Sequence, residues 1–197
     1  MNSERVMGHF QESAELNAQA SALLCGPVSN AVALMFTALS NGNRILACGN
    51  GGSAADCQRF ASKLIGRFER ERLPLPAMAL TSDSSTLSGV GNDFGFNSIF
   101  SKQVQAFGQP GDILLAISSS GNASNVVEAA EAGLEREMRV IALTGGDGGV
   151  LAQLLTEADV HICVPHDRVA RIQEIHLLVI HCLCDGIDVA LFGGDPE

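Results

Sequence analysis

Tryptophan and tyrosine are absent from this 197-residue chain, and nine phenylalanines supply all of its aromatic content. Positive charge is scarce. Twelve Lys and Arg stand against 22 Asp and Glu, a formal net charge of −10. A nucleic-acid-binding surface needs a basic face, so direct nucleic-acid binding is excluded on this ground. A small anion is not excluded, because a few backbone N–H groups bind one locally. No apolar segment is read as reaching the roughly 20 residues that span a bilayer, and the opening MNSERVMGHFQESAELN is too polar for a signal peptide. Internal repeats and low-complexity segments are also missing. These absences describe a cytoplasmic protein without membrane contact.

What is present describes a globular chain: 46% of residues are hydrophobic and 17% charged. Its length suits one domain, 1–197. Cys25, Cys48, Cys57, Cys163, Cys182 and Cys184 lie mostly in apolar runs, as reduced core thiols do. Cys182 and Cys184 are two apart on a helix and point in different directions, so they are read as core rather than as a metal pair.

The pattern over about residues 1–42 is helical. Val6, Phe10, Ala14, Leu16 and Ala20 mark one stripe, and SNAVALMFTAL marks a second helix. Gly26-Pro27 reads as a break between them. Beyond Arg44, short apolar runs (RILACG, PAMALT, DILLAIS, RVIALTG, VHICVP) alternate with helical stretches, while STLSGVGNDF reads as turn-rich and RFERERLPLP as an exposed loop. Strands that are apolar throughout belong to a parallel sheet covered on both faces. The fold class is therefore α/β, a doubly wound five-stranded parallel sheet with N-terminal helices.

Ligands of such sheets bind beyond the carboxyl ends of the strands. Two strand ends carry unusual loops. Gly49-Asn50-Gly51-Gly52-Ser53 follows the first strand, and Ser118-Ser119-Ser120-Gly121-Asn122 follows a later one. One serine would suffice as a helix N-cap, and three exceed that need. Hydroxyls beside a helix start suit phosphate oxygens. Gly49-x-Gly51-x-x-Ala54 also satisfies a dinucleotide fingerprint, but Asp83 lies some 30 residues on rather than about 20, and that reading leaves the serine loop without a role.

CGNGGSAAD, GNDFGFN, DILLAISSSGNASNV, VIALTGGDGG and ARIQEIHLLVIHCLCD, in this order, resemble the SIS (sugar isomerase) family in its phosphoheptose isomerase branch, over about Arg5 to Phe192. The same branch contains the DnaA initiator-associating protein, a replication regulator without isomerase activity. The resemblance implies a flavodoxin-like SIS fold and a homotetramer held by the N-terminal helices (about 1–42) and the last helix. It also implies a sedoheptulose 7-phosphate site shared between subunits. The sugar-contacting turn falls on Asn50, Gly51, Gly52 and Ser53. The family's Asn-Asp pair falls on Asn92 and Asp93, and its phosphate loop on Ser118, Ser119 and Ser120. A further family serine is Ala123 here. Gln173 and His181 match two of four zinc ligands, and His181 also matches the isomerases' acid/base histidine. The other two ligand positions, a His and a Glu in the isomerases, are Arg59 and Lys63.

Zinc takes neutral imidazole, thiolate or carboxylate donors. Guanidinium and ammonium have no free lone pair, and their charge repels the metal. No metal or other cofactor is expected. The metal-bridged Glu of the isomerases is absent too, so the expected function is a phosphosugar-binding regulator like the DnaA initiator-associating protein, with DnaA as a protein partner. The alternative is a sedoheptulose 7-phosphate isomerase making the heptose precursor of lipopolysaccharide, with His181 acting beside another base such as Asp93 or Glu174. Arg59 and Lys63 are read either as a solvated helix face, where like charges four apart cost about 0.2–0.5 kcal/mol, or as replacements for the metal's charge.

Overall fold

A computed structural model describes residues 2–194, so Met1 and 195–197 of the expected single-domain span lie outside it. Five strands form one sheet: β1 (Ile45–Gly49), β2 (Ala77–Ala79), β3 (Ile113–Ile117), β4 (Arg139–Gly145) and β5 (Val160–Val164). All pair in parallel in the order β2-β1-β3-β4-β5. The helices are α1 (Ser3–Ser40), α2 (Gly52–Ile65), α3 (Ser84–Phe94), α4 (Ser101–Phe107), α5 (Ser124–Glu135), α6 (Gly149–Leu154) and α7 (Val169–Phe192). A 3-10 turn spans Phe96–Ser98.

β1 and β3 are buried along their whole length, as their unbroken apolar runs require. Two cores flank the sheet. One joins α1, α2 and α7 through Met35, Phe60, Leu64, Ile175, Val179 and Leu183. The other joins α4 and α5 through Leu80, Phe100, Val104, Val126 and Met138, with Leu87 and Val90 of α3 packed against it.

Three sequence expectations need correction. Gly26-Pro27 does not break the N-terminal segment, because α1 runs through it as one helix. Proline removes a helical hydrogen bond, but Leu16, Ala20, Leu24, Ala31, Met35 and Ala38 form one buried stripe on both sides of it, and that packing holds the helix together. STLSGVGNDF is helical, as α3, because the Asp83 carboxylate caps it. Asp83 accepts from the N–H of Ser85 and Thr86 and from the Thr86 hydroxyl. Finally, α1 and α7 are each long and apolar enough by composition to cross a membrane. Both instead pack into the fold, where α7 is buried at Ile172, Ile175, Val179, Ile180, Leu183 and Ile187.

The loop RFERERLPLP is only partly exposed. Arg72 and Asp188 form a buried ion pair at 2.9 Å, with 2% and 5% of their side chains accessible. Arg72 also donates to the carbonyls of Lys63 and Leu64, satisfying the C-terminal end of α2 and pinning it to α7. Cys184 is buried as expected, but Cys182 is exposed.

Candidate functional site

The chain order of the strands reverses beside β1: β2 lies on one side and β3, β4 and β5 on the other. A crevice opens at such a switch point. Gly49 is paired with Ile117, so the loops after β1 and β3 leave the sheet at the same level. Only glycine fits at position 49, where a Cβ would stand 2.9 Å from both the Ile117 carbonyl oxygen and the Ser53 Cβ. Gly51 takes φ +55, which lets the chain turn directly into α2.

The two loops are tied together. Asn50 Nδ2 donates to Asn125 Oδ1 at 2.8 Å, and Asn125 Nδ2 returns a bond to Asn50 Oδ1 at 2.9 Å. Asn125 was missed in the sequence. Its position one residue into α5, facing the loop of the adjacent strand, emerges only from the fold. Among the described residues, no hydrogen bond engages the N–H of Gly51, Gly52, Ser119 or Ser120. Ser118 is buried, Ser119 half-buried and Ser120 exposed. The serines do not cap α5, whose N-cap is Ala123 without a side-chain bond. Ser120 Oγ instead accepts from the Asn122 N–H at 3.2 Å. Unengaged N–H groups and hydroxyls on two adjacent loops make an anion cradle.

Asn92 and Asp93 lie apart from this cradle, on the exposed end of α3. Asn92 Nδ2 donates to Asp93 Oδ1 at 2.8 Å, and no bond within the described residues links either to the loops. Asp83, the residue a dinucleotide site would use, is taken up by its capping of α3.

The other half of the crevice is made by α2 and α7. Gln173 packs over the Gly turn, where a Cβ at Gly52 would stand 2.6 Å from its Nε2. The His181 ring is half-buried, with its centroid 5.8 Å from that of Phe68. The Lys63 ammonium lies 5.0 Å over the same Phe68 ring. Arg59, one turn earlier on α2, is exposed, and its side chain makes no hydrogen bond or ion pair among the described residues. Asp56, one turn before Arg59, is 8% exposed and has no hydrogen-bond partner among them. Burial raises the Asp56 carboxyl above the ordinary carboxylate range, and the nearby Arg59 and His181 oppose that shift. The sequence reading passed over Asp56. An acid three residues before Arg59 on one helix was the available signal.

Glu174 is directed elsewhere. It accepts from Ser13 Oγ at 2.8 Å and pairs with Arg171 at 2.7 Å, which removes it as the additional base. His176 is fully buried and donates through Nε2 to the Thr144 carbonyl at 2.9 Å, a structural role.

The donor set does not fit zinc. Arg59 and Lys63 offer no lone pair, which leaves Gln173 and His181 of the four positions. No group of three or more His, Cys, Asp or Glu able to hold a metal occurs among the described residues. The positive charges of Arg59 and Lys63 also repel a dication.

The SIS domain family profile matches residues 9–145. The chain belongs to the SIS domain family. It is 59% identical over 193 residues to the phosphoheptose isomerase of Bordetella avium (strain 197N), covering 98% of each chain. Its fold superposes on phosphoheptose isomerase GmhA from Neisseria gonorrhoeae with TM-score 0.91 and 52% identity, covering 94% of this chain and 98% of that one. For a phosphoheptose isomerase from Francisella tularensis the values are 0.90 and 42%, covering 95% and 98%.

These likenesses overturn the expectation of a non-enzymatic regulator. That expectation rested on two altered positions, Arg59 and Lys63. The likeness to isomerases runs over almost the whole chain.

Proposed function

We propose that the chain is a phosphosugar isomerase interconverting sedoheptulose 7-phosphate and its aldose isomer, D-glycero-D-manno-heptose 7-phosphate. The carrying observation is the crevice where the β1 and β3 loops meet through the paired amides of Asn50 and Asn125. The relatives named phosphoheptose isomerase supply the substrate class.

In this reading Ser118, Ser119 and Ser120 hold the phosphate through backbone N–H groups and hydroxyls. Asn50, Gly51, Gly52 and Ser53 meet the sugar, with Gln173 above them. His181 and Asp56 are the titratable groups placed to move a proton between adjacent carbons. A coupled assay with sedoheptulose 7-phosphate tests the reading. Turnover is expected, with KM raised about tenfold or more by Ser119→Asp, which sets a carboxylate against the phosphate. No turnover under any condition refutes it.

The enzyme is read as a homotetramer. Support comes from apolar surface that a single chain leaves open: Met7, Phe10 and Leu23 on α1, Leu178 on α7, and a 460 Å³ groove between these helices lined by Leu24, Val28 and Val179. α3 contributes no buried residue, which suits Asn92 and Asp93 completing a neighbouring subunit's site. Light scattering at about four chain masses is expected. Six unpaired thiols agree with a reducing, cytoplasmic setting.

A further inference from the structure

We propose that the site carries its positive charge on the protein itself: Arg59, with Lys63 one turn further along the helix, takes the place of a divalent cation and holds the oxyanion that forms when the sugar carbonyl is enolised. This inference rests on the isomerase reading and deepens it.

The geometry sets four groups on the facing sides of α2 and α7. Asp56, Arg59 and Lys63 succeed one another at helical spacing on α2. His181 answers from α7, and both its ring and the Lys63 ammonium lie close to the Phe68 ring. Lys63 is held by that ring, and the C-terminal turn of α2 is fixed by the carbonyl bonds of Arg72. The Arg59 side chain is exposed, unpaired among the described residues, and near enough to Asp56 to act on its charge. A merely solvated pair would require neither a buried, unbonded carboxylate one turn away nor an aromatic seat for the ammonium.

Isomerisation consumes nothing. A base takes the proton from the carbon beside the carbonyl, the C–H electron pair forms the C=C bond, and the carbonyl oxygen gains negative charge. The neighbouring hydroxyl then passes its proton to that oxygen and becomes the new carbonyl. The C=C electron pair takes back the proton held by the base, at the carbon that carried the old carbonyl. The intermediate presents two oxygens side by side, which a planar guanidinium can hold with two parallel N–H bonds. Asp56 is the base closest in sequence and on the same helix face. Its carboxylate is buried, unbonded and close enough to Arg59 and His181 to feel their charges.

Metal analysis and zinc titration calorimetry on wild type, Arg59→His with Lys63→Glu, and His181→Ala read the metal half. Wild type is expected to carry less than about 0.1 zinc per chain and to show no saturable zinc binding, and the double variant is expected to gain it. About one zinc per wild-type chain, lost in His181→Ala, overturns the inference. Steady-state kinetics of Arg59→Gln and Arg59→Lys read the oxyanion half. Arg59→Gln is expected to lower kcat about 100-fold with KM within about threefold, with partial recovery in Arg59→Lys. An unchanged kcat overturns it. Turnover that requires added zinc leaves the isomerase reading standing and sinks this one. Absence of turnover in wild type, with or without zinc, sinks the isomerase reading and the oxyanion half with it, while the titration still decides the metal half.

Discussion

The two halves of the crevice are built from different materials. The β1–β3 half is mostly backbone: glycines at 49, 51, 52 and 121, unengaged N–H groups, and one amide pair bridging the loops. The α2–α7 half is side chains: Asp56, Arg59, Lys63, Gln173 and His181. A backbone site changes only if the turn changes. A side-chain site can be rewritten residue by residue while the fold stays in place. Arg59 and Lys63 make the α2–α7 half cationic, and the fold still matches that of a phosphoheptose isomerase at TM-score 0.91.

The largest expected effect lies under the side-chain half. Arg72→Ala strands the Asp188 carboxylate, whose Oδ2 already lacks a partner. Stability should fall by about 3–5 kcal/mol by urea unfolding, and adding Asp188→Asn should recover part of it. A loss under about 1 kcal/mol would mean that the pair does not hold α2 on α7.

A smaller effect concerns the contact of α7 with β4. Burial pulls His176 down to about 4, with its bond to the Thr144 carbonyl opposing. Between pH 6.5 and 4 the unfolded chain therefore binds a proton that the folded chain refuses. This contribution to stability is full above pH 6.5 and is lost as pH falls. At pH 5 the loss amounts to about 2 kcal/mol. Unfolding at pH 7 and pH 5 should show that loss in wild type, and His176→Gln should lack this part of the slope.

The smallest effect sharpens the backbone half. Asn125→Ala leaves Asn50 without its partner and should cost about 1–2 kcal/mol. KM for the phosphosugar should rise several-fold with kcat little changed, because the cradle loosens while the α2–α7 groups stay. A fall in kcat with unchanged KM would show that the two halves are not separable in this way.

Much of this division was legible in the residues. The runs ILACG, ILLAI and RVIALTG read directly as buried parallel strands, and the loops after the first two stood out by glycine and serine content. α3 was hidden because Gly, Ser and Asn dominate it and its stability depends on the Asp83 cap. The continuity of α1 through Pro27 depends on packing against α7, which no local signal carries. Arg72 looked like one more charge in a polar loop until Asp188, 116 positions away, closed on it. Asp56 and Asn125 acquire roles only from neighbours on other elements. The meaning of Arg59 and Lys63 came from the resemblance alone. Weighing those two positions above the rest of the chain produced the mistaken regulatory reading.

The most direct test is sedoheptulose 7-phosphate turnover by protein stripped of metal and assayed in excess chelator. Turnover equal to that of untreated protein, and unaltered by added zinc, is the expected result. Activity that vanishes with the chelator and returns with zinc would contradict it.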